Sequence, residues 1–266
     1  NNKVHISYYD PYSYVKYATN KSGSWKIYAI ADVGMDAGDN NDIAIDSNDK
    51  VHIAYFHCDY DEDDGACDVG DLKYATNKFG SWQIYVVDAD KAGWHPSIAM
   101  DSEDKIHISY GKYSGSHADL WYATNASGSW QKFNIGGLFG GMEGYNSIAL
   151  DSSGKAHMSY YDGGRNLSYA TNASGAWQIS NVDSGGKTGL FNSIAVDSSN
   201  HVHISYCDYD NRDLKYATNK SGEWETFTLD SDGDVGLHSS IAVDSGDYIH
   251  IGYYDRDNGS LKYATN

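Results

Sequence analysis

The chain has 266 residues, 40% of them hydrophobic, and a formal net charge of −18. It is long enough to bury a sizeable core, and length alone does not demand two domains. The acidic balance argues against nucleic acid, whose phosphates want a basic face, and against anionic membrane surfaces. No apolar run reaches the length of a membrane span, so no membrane insertion is expected.

In chain order, one segment keeps returning. VHISYYD at Val4–Asp10 recurs as VHIAYFH (Val51–His57), IHISYGK (Ile106–Lys112), AHMSYYD (Ala156–Asp162), VHISYCD (Val202–Asp208) and IHIGYYD (Ile249–Asp255). YATN begins at Tyr17, Tyr74, Tyr122, Tyr169, Tyr216 and Tyr263, at intervals of 57, 48, 47, 47 and 47 residues. Each interval carries four short segments in fixed order: one like SIAVDS (Ser193–Ser198), then VHISYYD, then LKYATN, then one opened by Trp25, Trp82, Trp130, Trp177 or Trp224. Turn formers such as DSSGK, DGGRN and NASGA separate them, and no helical period is sustained. With 24 Tyr and only 2 Pro, the composition also suits pleated strands.

Four short strands in such a repeat is the period of a β-propeller blade. The run SIAVDSSNHVHISYCD (Ser193–Asp208) resembles the inner two strands of NHL-type and BNR-type propeller repeats. The HISYYD…LKYATN…SGSW form is similar to repeats of secreted bacterial proteins. The resemblance covers the whole chain and implies a fold, not an activity, because propellers host many functions. It makes SIAVD the innermost strand, crowded around the small Ala44, Ala99, Ala149, Ala195 and Ala242, and the Trp segment the outermost.

The expectation is an all-β fold, a six-bladed β-propeller of four-stranded antiparallel blades. It forms one domain over 1–266, with repeats at approximately 1–30, 31–87, 88–135, 136–182, 183–229 and 230–266. The second and third segments occur six times and the inner and outer ones five times. The terminal blades are therefore expected to be incomplete, and the chain to be part of a longer chain or assembly.

A histidine holds the second place of every VHISYYD copy: His5, His52, His107, His157, His203 and His250. Side chains alternate along a strand, so this ring points into a sandwiched layer. Ligands one blade apart cannot converge on one metal at bonds of about 2 Å. A buried imidazole needs partners for both nitrogens, and Tyr, Ser and the Asp of VDS repeat in equal number. The histidines are read as scaffold. Cys58 and Cys67 bracket an insertion, DYDEDDGA, and are expected to form a disulfide, which implies an oxidising, extracellular or cell-surface setting. Cys207 is expected to be a half-buried free thiol.

Function is sought where repeats differ, in two series of connections on one rim. They carry Trp94, His95, Tyr145, Phe191 and His238, together with Asp162, Arg165, Asp208, Arg212, Asp255 and Arg256. Aromatic faces beside Asp and Arg are the means of holding a sugar ring. Asp59, Asp61 and Asp63 form one carboxylate cluster, and Asp230, Asp232 and Asp234 another. Both are candidates for Ca²⁺, though neither has full EF-hand spacing. No GxSxG, HExxH or P-loop motif occurs, and no catalytic residue is assigned. The leading expectation is an extracellular, non-enzymatic module that binds glycan or another surface ligand through its rim. A carbohydrate-active enzyme (glycoside hydrolase or polysaccharide lyase) and a structural or adhesive module are the alternatives.

Overall fold

The structure, a computed structural model, describes residues 3–10, 14–32, 40–58, 70–89, 91–114, 117–139 and 145–266. Every regular element among them is a β-strand. The first sheet holds β1 (His5–Asp10), β2 (Tyr14–Thr19) and β3 (Lys26–Asp32). The second holds β4 (Asn41–Ile45), β5 (Val51–Cys58), β6 (Gly70–Thr76) and β7 (Gln83–Asp88). The third holds β8 (Ala92–Met100), β9 (Ile106–Ser114), β10 (His117–Thr124) and β11 (Gln131–Phe139). The fourth is β12 (Asn146–Leu150), β13 (Ala156–Tyr161), β14 (Leu167–Thr171) and β15 (Gln178–Asp183). The fifth is β16 (Thr188–Val196), β17 (Val202–Asp208), β18 (Asp213–Thr218) and β19 (Glu225–Asp230). The sixth is β20 (Leu237–Val243), β21 (Ile249–Asp255) and β22 (Ser260–Thr265). Strands pair in chain order, so each sheet is a meander of four strands, or of three in the first and last.

The chain divides into two compact units. One is Asn1–Ser116 with Trp121–Asn134, and the other is His117–Leu120 with Ile135–Asn266. In the second to fifth sheets the VHISYYD strand is largely or wholly buried, whereas β1 is mostly part-exposed. All six residues of β13 and all seven of β17 are inaccessible, while the first four of β15 and β19 are exposed. The second strand of a blade is thus covered on both faces and the fourth is the outer one. Tyr55, Tyr110, Tyr160 and Tyr206, at the same place in successive copies, are among the largest fully buried side chains.

Burying a histidine in such a strand requires that its nitrogens be satisfied. The antiparallel register pairs His157 with Thr171 and Ser159 with Tyr169. His157 and Tyr169 are therefore diagonal neighbours on one face, close enough for side chains to meet. His157 Nδ1 lies 2.5 Å from the Tyr169 hydroxyl, and Nε2 lies 3.4 Å from Asp151. The same pairing joins His5 to Tyr17, His107 to Tyr122, His203 to Tyr216 and His250 to Tyr263 at 2.5–2.6 Å, and His52 to Tyr74. Each Nε2 faces a carboxylate: Asp46, Asp101, Asp197 and Asp244 of the same sheet at 3.3–3.5 Å, and Asp49 for His5 at 3.5 Å. A carboxylate only accepts, so Nε2 carries the proton and Nδ1 accepts from the Tyr O–H. The Asp serves twice. Its other oxygen caps the turn that follows, as Asp151 Oδ1 accepts from the backbone N–H of Ser153 at 2.8 Å and Lys155 at 2.9 Å.

Neighbouring sheets within a unit are tied by similar means. Ser47 donates through its N–H and hydroxyl to Asp104, and Ser198 does so to Asp247. Asp88, Asp183 and Asp230, each ending a fourth strand, accept from the buried Tyr110, Tyr206 and Tyr253 of the next sheet. Lys112, Lys215 and Lys262 join the same carboxylates.

Burial pushes His5, His52, His107, His157 and His203 below their ordinary pKa of 6.5, outweighing the nearby carboxylates. The unfolded chain then binds more protons than the folded one as pH falls past 6.5, so folding weakens in that direction. In Asp197, burial opposes ionisation but the His201 N–H and the imidazoles of His201 and His203 outweigh it, and its pKa falls to about 2. Its contribution is lost only below the usual carboxylate range. Melting temperature followed by circular dichroism is therefore expected to fall progressively from pH 7 to pH 5. A value independent of pH over that interval would show that the histidines are not held neutral.

Candidate ligand-binding site

The innermost strands do not start straight. In β8 the register with β9 slips around Trp94, in β16 with β17 around Leu190, and in β20 with β21 between Leu237 and Ser240. The cause is a repeated pair of left-handed residues two apart. Gly93, Gly189 and Gly236 have φ of 99°, 96° and 84°, and His95, Phe191 and His238 have φ of 47°, 52° and 50°. A Cβ on those glycines would lie 2.7–2.8 Å from the Cα of Leu72, Leu167 or Leu214 in the preceding sheet, so only glycine fits. The residue two further on has no such excuse. A bulky side chain in this region costs on the order of 1–3 kcal/mol and persists only where its surroundings enforce it.

In the second unit the surroundings are visible. Asn192, buried, donates through Nδ2 to the Tyr145 carbonyl at 3.1 Å and the Gly189 carbonyl at 2.8 Å, and accepts from the Ser159 hydroxyl at 2.6 Å. Ser239, buried, donates to the Phe191 carbonyl at 2.9 Å and meets Ser205 at 2.9 Å. Tyr145 and Phe191 are thus each pinned by the residue that follows the ring-bearing residue of the next sheet. The result is a three-ring ladder. Tyr145 and Phe191 have centroids 4.4 Å apart at 42°, and Phe191 and His238 4.3 Å apart at 55°. Tyr145 and Phe191 rest half-buried on Tyr161, Leu190, Cys207 and Leu237, and His238 is exposed. Desolvation lowers the His238 pKa, so at neutral pH the ladder ends in an uncharged imidazole.

The structure brings together Tyr145, Phe191 and His238 of the sequence-derived set, and Trp94 belongs to the other unit. Each of the three stands three residues before the Ile of its IA pair, as does His95. Trp94 aligns instead with the buried Leu190 and Leu237. It is half-buried against Phe56 at 4.5 Å and Tyr113 at 5.8 Å. One residue of offset moves a side chain to the other face.

The acids of the other connection are occupied. Asp162 accepts from Gly164, Asn166 and Ser168, Asp208 from Asn211, and Asp255 from Asn258. Arg165 and Arg212 are exposed left-handed turn residues (φ 68° and 64°). Their carbonyls accept from Thr188 and Val235, the residues just before Gly189 and Gly236, so these turns brace the bulges. Arg256 lies 3.6 Å from Asp234.

Of the carboxylate clusters, Asp230 is engaged by Tyr253 and Lys262, Asp232 donates its N–H to Asp230, and Asp234 takes its N–H to Asp257. Among the described residues no three His, Cys, Asp or Glu groups converge as a metal site. Asp59, Asp61, Asp63 and Cys67 lie outside the described residues. Cys58 is disulfide-bonded. Cys207 is free and wholly rather than half buried, and burial, with Asp208, Asp234 and Asp213 nearby, pushes its thiol up to about 12.

No family model matches the chain, and no curated protein matches it. Solved structures do. The BP39L lectin from Burkholderia pseudomallei is 12% identical, with a TM-score of 0.72, covering 100% of this chain and 78% of that one. A fungal lectin from Aleuria aurantia, described as a six-bladed β-propeller with a novel fucose recognition mode, is 12% identical, with a TM-score of 0.64 and coverage of 99% and 86%. The polysaccharide lyase Uly1 is 12% identical, with a TM-score of 0.51 and coverage of 100% and 79%. The fold is a six-bladed β-propeller, and its first and last blades have three strands. At such identity the likeness carries the fold alone.

Sequence reasoning missed Asn192 and Ser239, because a clamp that reaches into the neighbouring blade leaves no mark in its own. The available signal was a polar residue at a buried place directly after the ring. Asn192→Ala is expected to destabilise by about 1–3 kcal/mol in urea titration, since the Ser159 hydroxyl and two carbonyls lose their partner. A cost below about 0.5 kcal/mol would show that the clamp does not hold the bulge.

Proposed function

We propose that this protein is a non-enzymatic glycan-binding module whose ligand rests on the Tyr145–Phe191–His238 ladder. The observation that carries the reading is the ladder itself. The bulge backbone is repeated, yet its side chain changes from His to Phe to His, which packing alone does not demand. Partly exposed rings in a pinned geometry suit the C–H face of a sugar, and the neutral His238 edge can exchange hydrogen bonds with hydroxyls. Pinning removes ordering cost that binding would otherwise bear. The lectins among the structural neighbours support the reading by analogy of fold. A net charge of −18 suits an uncharged sugar better than an anionic polysaccharide. The disulfide-bonded Cys58 supports an extracellular or cell-surface setting. Asp162, Arg165, Asp208, Arg212, Asp255 and Arg256 act in this reading mainly by shaping the turns, and calcium is not required.

The test is a glycan array that includes neutral fucosylated glycans, run in calcium and in a chelator. Binding is expected in both. Phe191→Ala should weaken the best ligand by about 1–3 kcal/mol, in the manner of a central aromatic anchor. Phe79→Ala, at an exposed turn remote in sequence from the ladder, should leave it unchanged. No array signal, or equal affinity in Phe191→Ala, would reject the ladder as the site.

A further inference from the structure

One place in the repeat holds an ammonium group. On the face of the buried tyrosine of each second strand, the register sets Tyr55 opposite Lys73, Tyr206 opposite Lys215 and Tyr253 opposite Lys262. The Lys215 Nζ lies 5.7 Å from the centre of the Tyr206 ring and 4.0 Å from Asp208. The Lys262 Nζ lies 5.9 Å from the Tyr253 ring and 3.5 Å from Asp255. In the first sheet Lys16 pairs with Asp10. The third sheet exchanges the two positions. Lys112 stands where these sheets have Asp, and its Nζ lies 5.2 Å from the Trp121 ring and 3.0 Å from Asp88.

The fourth sheet has the ring and the carboxylate without the cation. Its register sets Tyr160 opposite Ser168, so a hydroxymethyl group stands where a lysine would. Asp162 holds the place of Asp208 and Asp255, and its partners among the described residues are all uncharged: the N–H groups of Gly164 and Asn166, the Asn166 amide and, at 2.8 Å, the Ser168 hydroxyl. The carboxylate of the preceding outer strand is missing as well. Gly136 follows Trp130 at the spacing at which Asp88, Asp183 and Asp230 follow Trp82, Trp177 and Trp224, and a Cβ added to it would meet nothing within 4 Å. An open groove of about 300 Å³ results, lined by Tyr160, Asp162, Ser168, Ile179 and Asn181.

We propose that this groove binds a ligand carrying a primary ammonium on an unbranched apolar stem, the group that a lysine supplies in the other blades. The nitrogen sits beside Asp162 and over the face of Tyr160, and donates to the carboxylate and to the lone pairs of the Ser168 hydroxyl. The stem lies along Ile179. A chain with a net charge of −18 draws cations to its whole surface, but a bare cation has no stem to fill the groove. A free diamine and the side chain of a lysine in a peptide share this chemistry. The groove contains none of the rings of the ladder, so the inference stands apart from the glycan reading.

The probe is n-butylammonium chloride, titrated at constant ionic strength into the ¹⁵N-labelled 266-residue chain. The amides of Gly163, Gly164 and Ser168 are expected to shift saturably. Tetramethylammonium, which has no N–H donor, and n-butanol, which has no charge, should each bind at least about tenfold more weakly, as for a charge-assisted hydrogen bond. Ser168→Lys restores the residue of the other blades, so it should fold and lose the response. Asp162→Asn should weaken binding at least about tenfold. Tighter binding of Nα-acetyl-lysine methylamide than of cadaverine would assign the site to a peptide lysine, and the reverse order to a free amine. No saturable shift, shifts matched by tetramethylammonium, or an unchanged response in either folded variant would overturn the proposal.

Discussion

A buried imidazole with two polar nitrogens is the constraint on which this fold turns. Every second strand carries a histidine, and where that strand is covered on both faces, as at His107, His157 and His203, the ring can stay there only if both nitrogens are met. At His107, His157 and His203 the YAT Tyr satisfies one and an Asp the other, whereas the buried Nε2 of His52 stands 3.5 Å from Asp46 without a hydrogen bond. Three strands of one blade are therefore fixed together by a chain of two hydrogen bonds, and the same Asp caps the turn between the first two. Losing any member strands the others in a low dielectric, which explains why the motif is repeated as a unit.

That constraint leaves freedom elsewhere. The outer end of the innermost strand is not part of the chain of bonds. There the backbone leaves the ladder in a left-handed bulge, enforced by glycine against the neighbouring leucine and by side chains that grip carbonyls of the next blade. The price of that strain is met by the clamps, and what it yields is a set of rings held out of the sheet plane in a fixed array. Tyr145, Phe191 and His238 belong to this array, and the difference among them is where we propose that specificity resides.

The fold was legible because its physics is repeated. The period, the Trp, the turn residues and the alternation of VHISYYD all point to the same blade, and the equal numbers of His, Tyr and Asp anticipated their bonding. The candidate site was legible in part. Tyr145, Phe191 and His238 stood out as varied residues in a constant frame; Trp94 was grouped with them by its nearness to Gly93, although strict alignment to the following Ile places it with Leu190 and Leu237 and puts His95 with the rings. Asp162, Asp208 and Asp255, read from sequence as ligand carboxylates, also cap their own turns, and the two roles share one sequence signature. Asn192 could not be found without its partners in the preceding blade.

The central claim is that a scaffold of hydrogen-bonded histidines carries a separate, pinned aromatic ladder that binds sugar. Chemical-shift mapping of ¹⁵N-labelled protein on addition of a bound neutral glycan tests it most directly. The account predicts that perturbed amides gather at Tyr145, Phe191, Asn192 and His238, and that the amides around His157 and His203 stay unchanged. Perturbations centred on the cleft of Tyr17, Tyr28 and Trp82, or on the histidine layer itself, would contradict it.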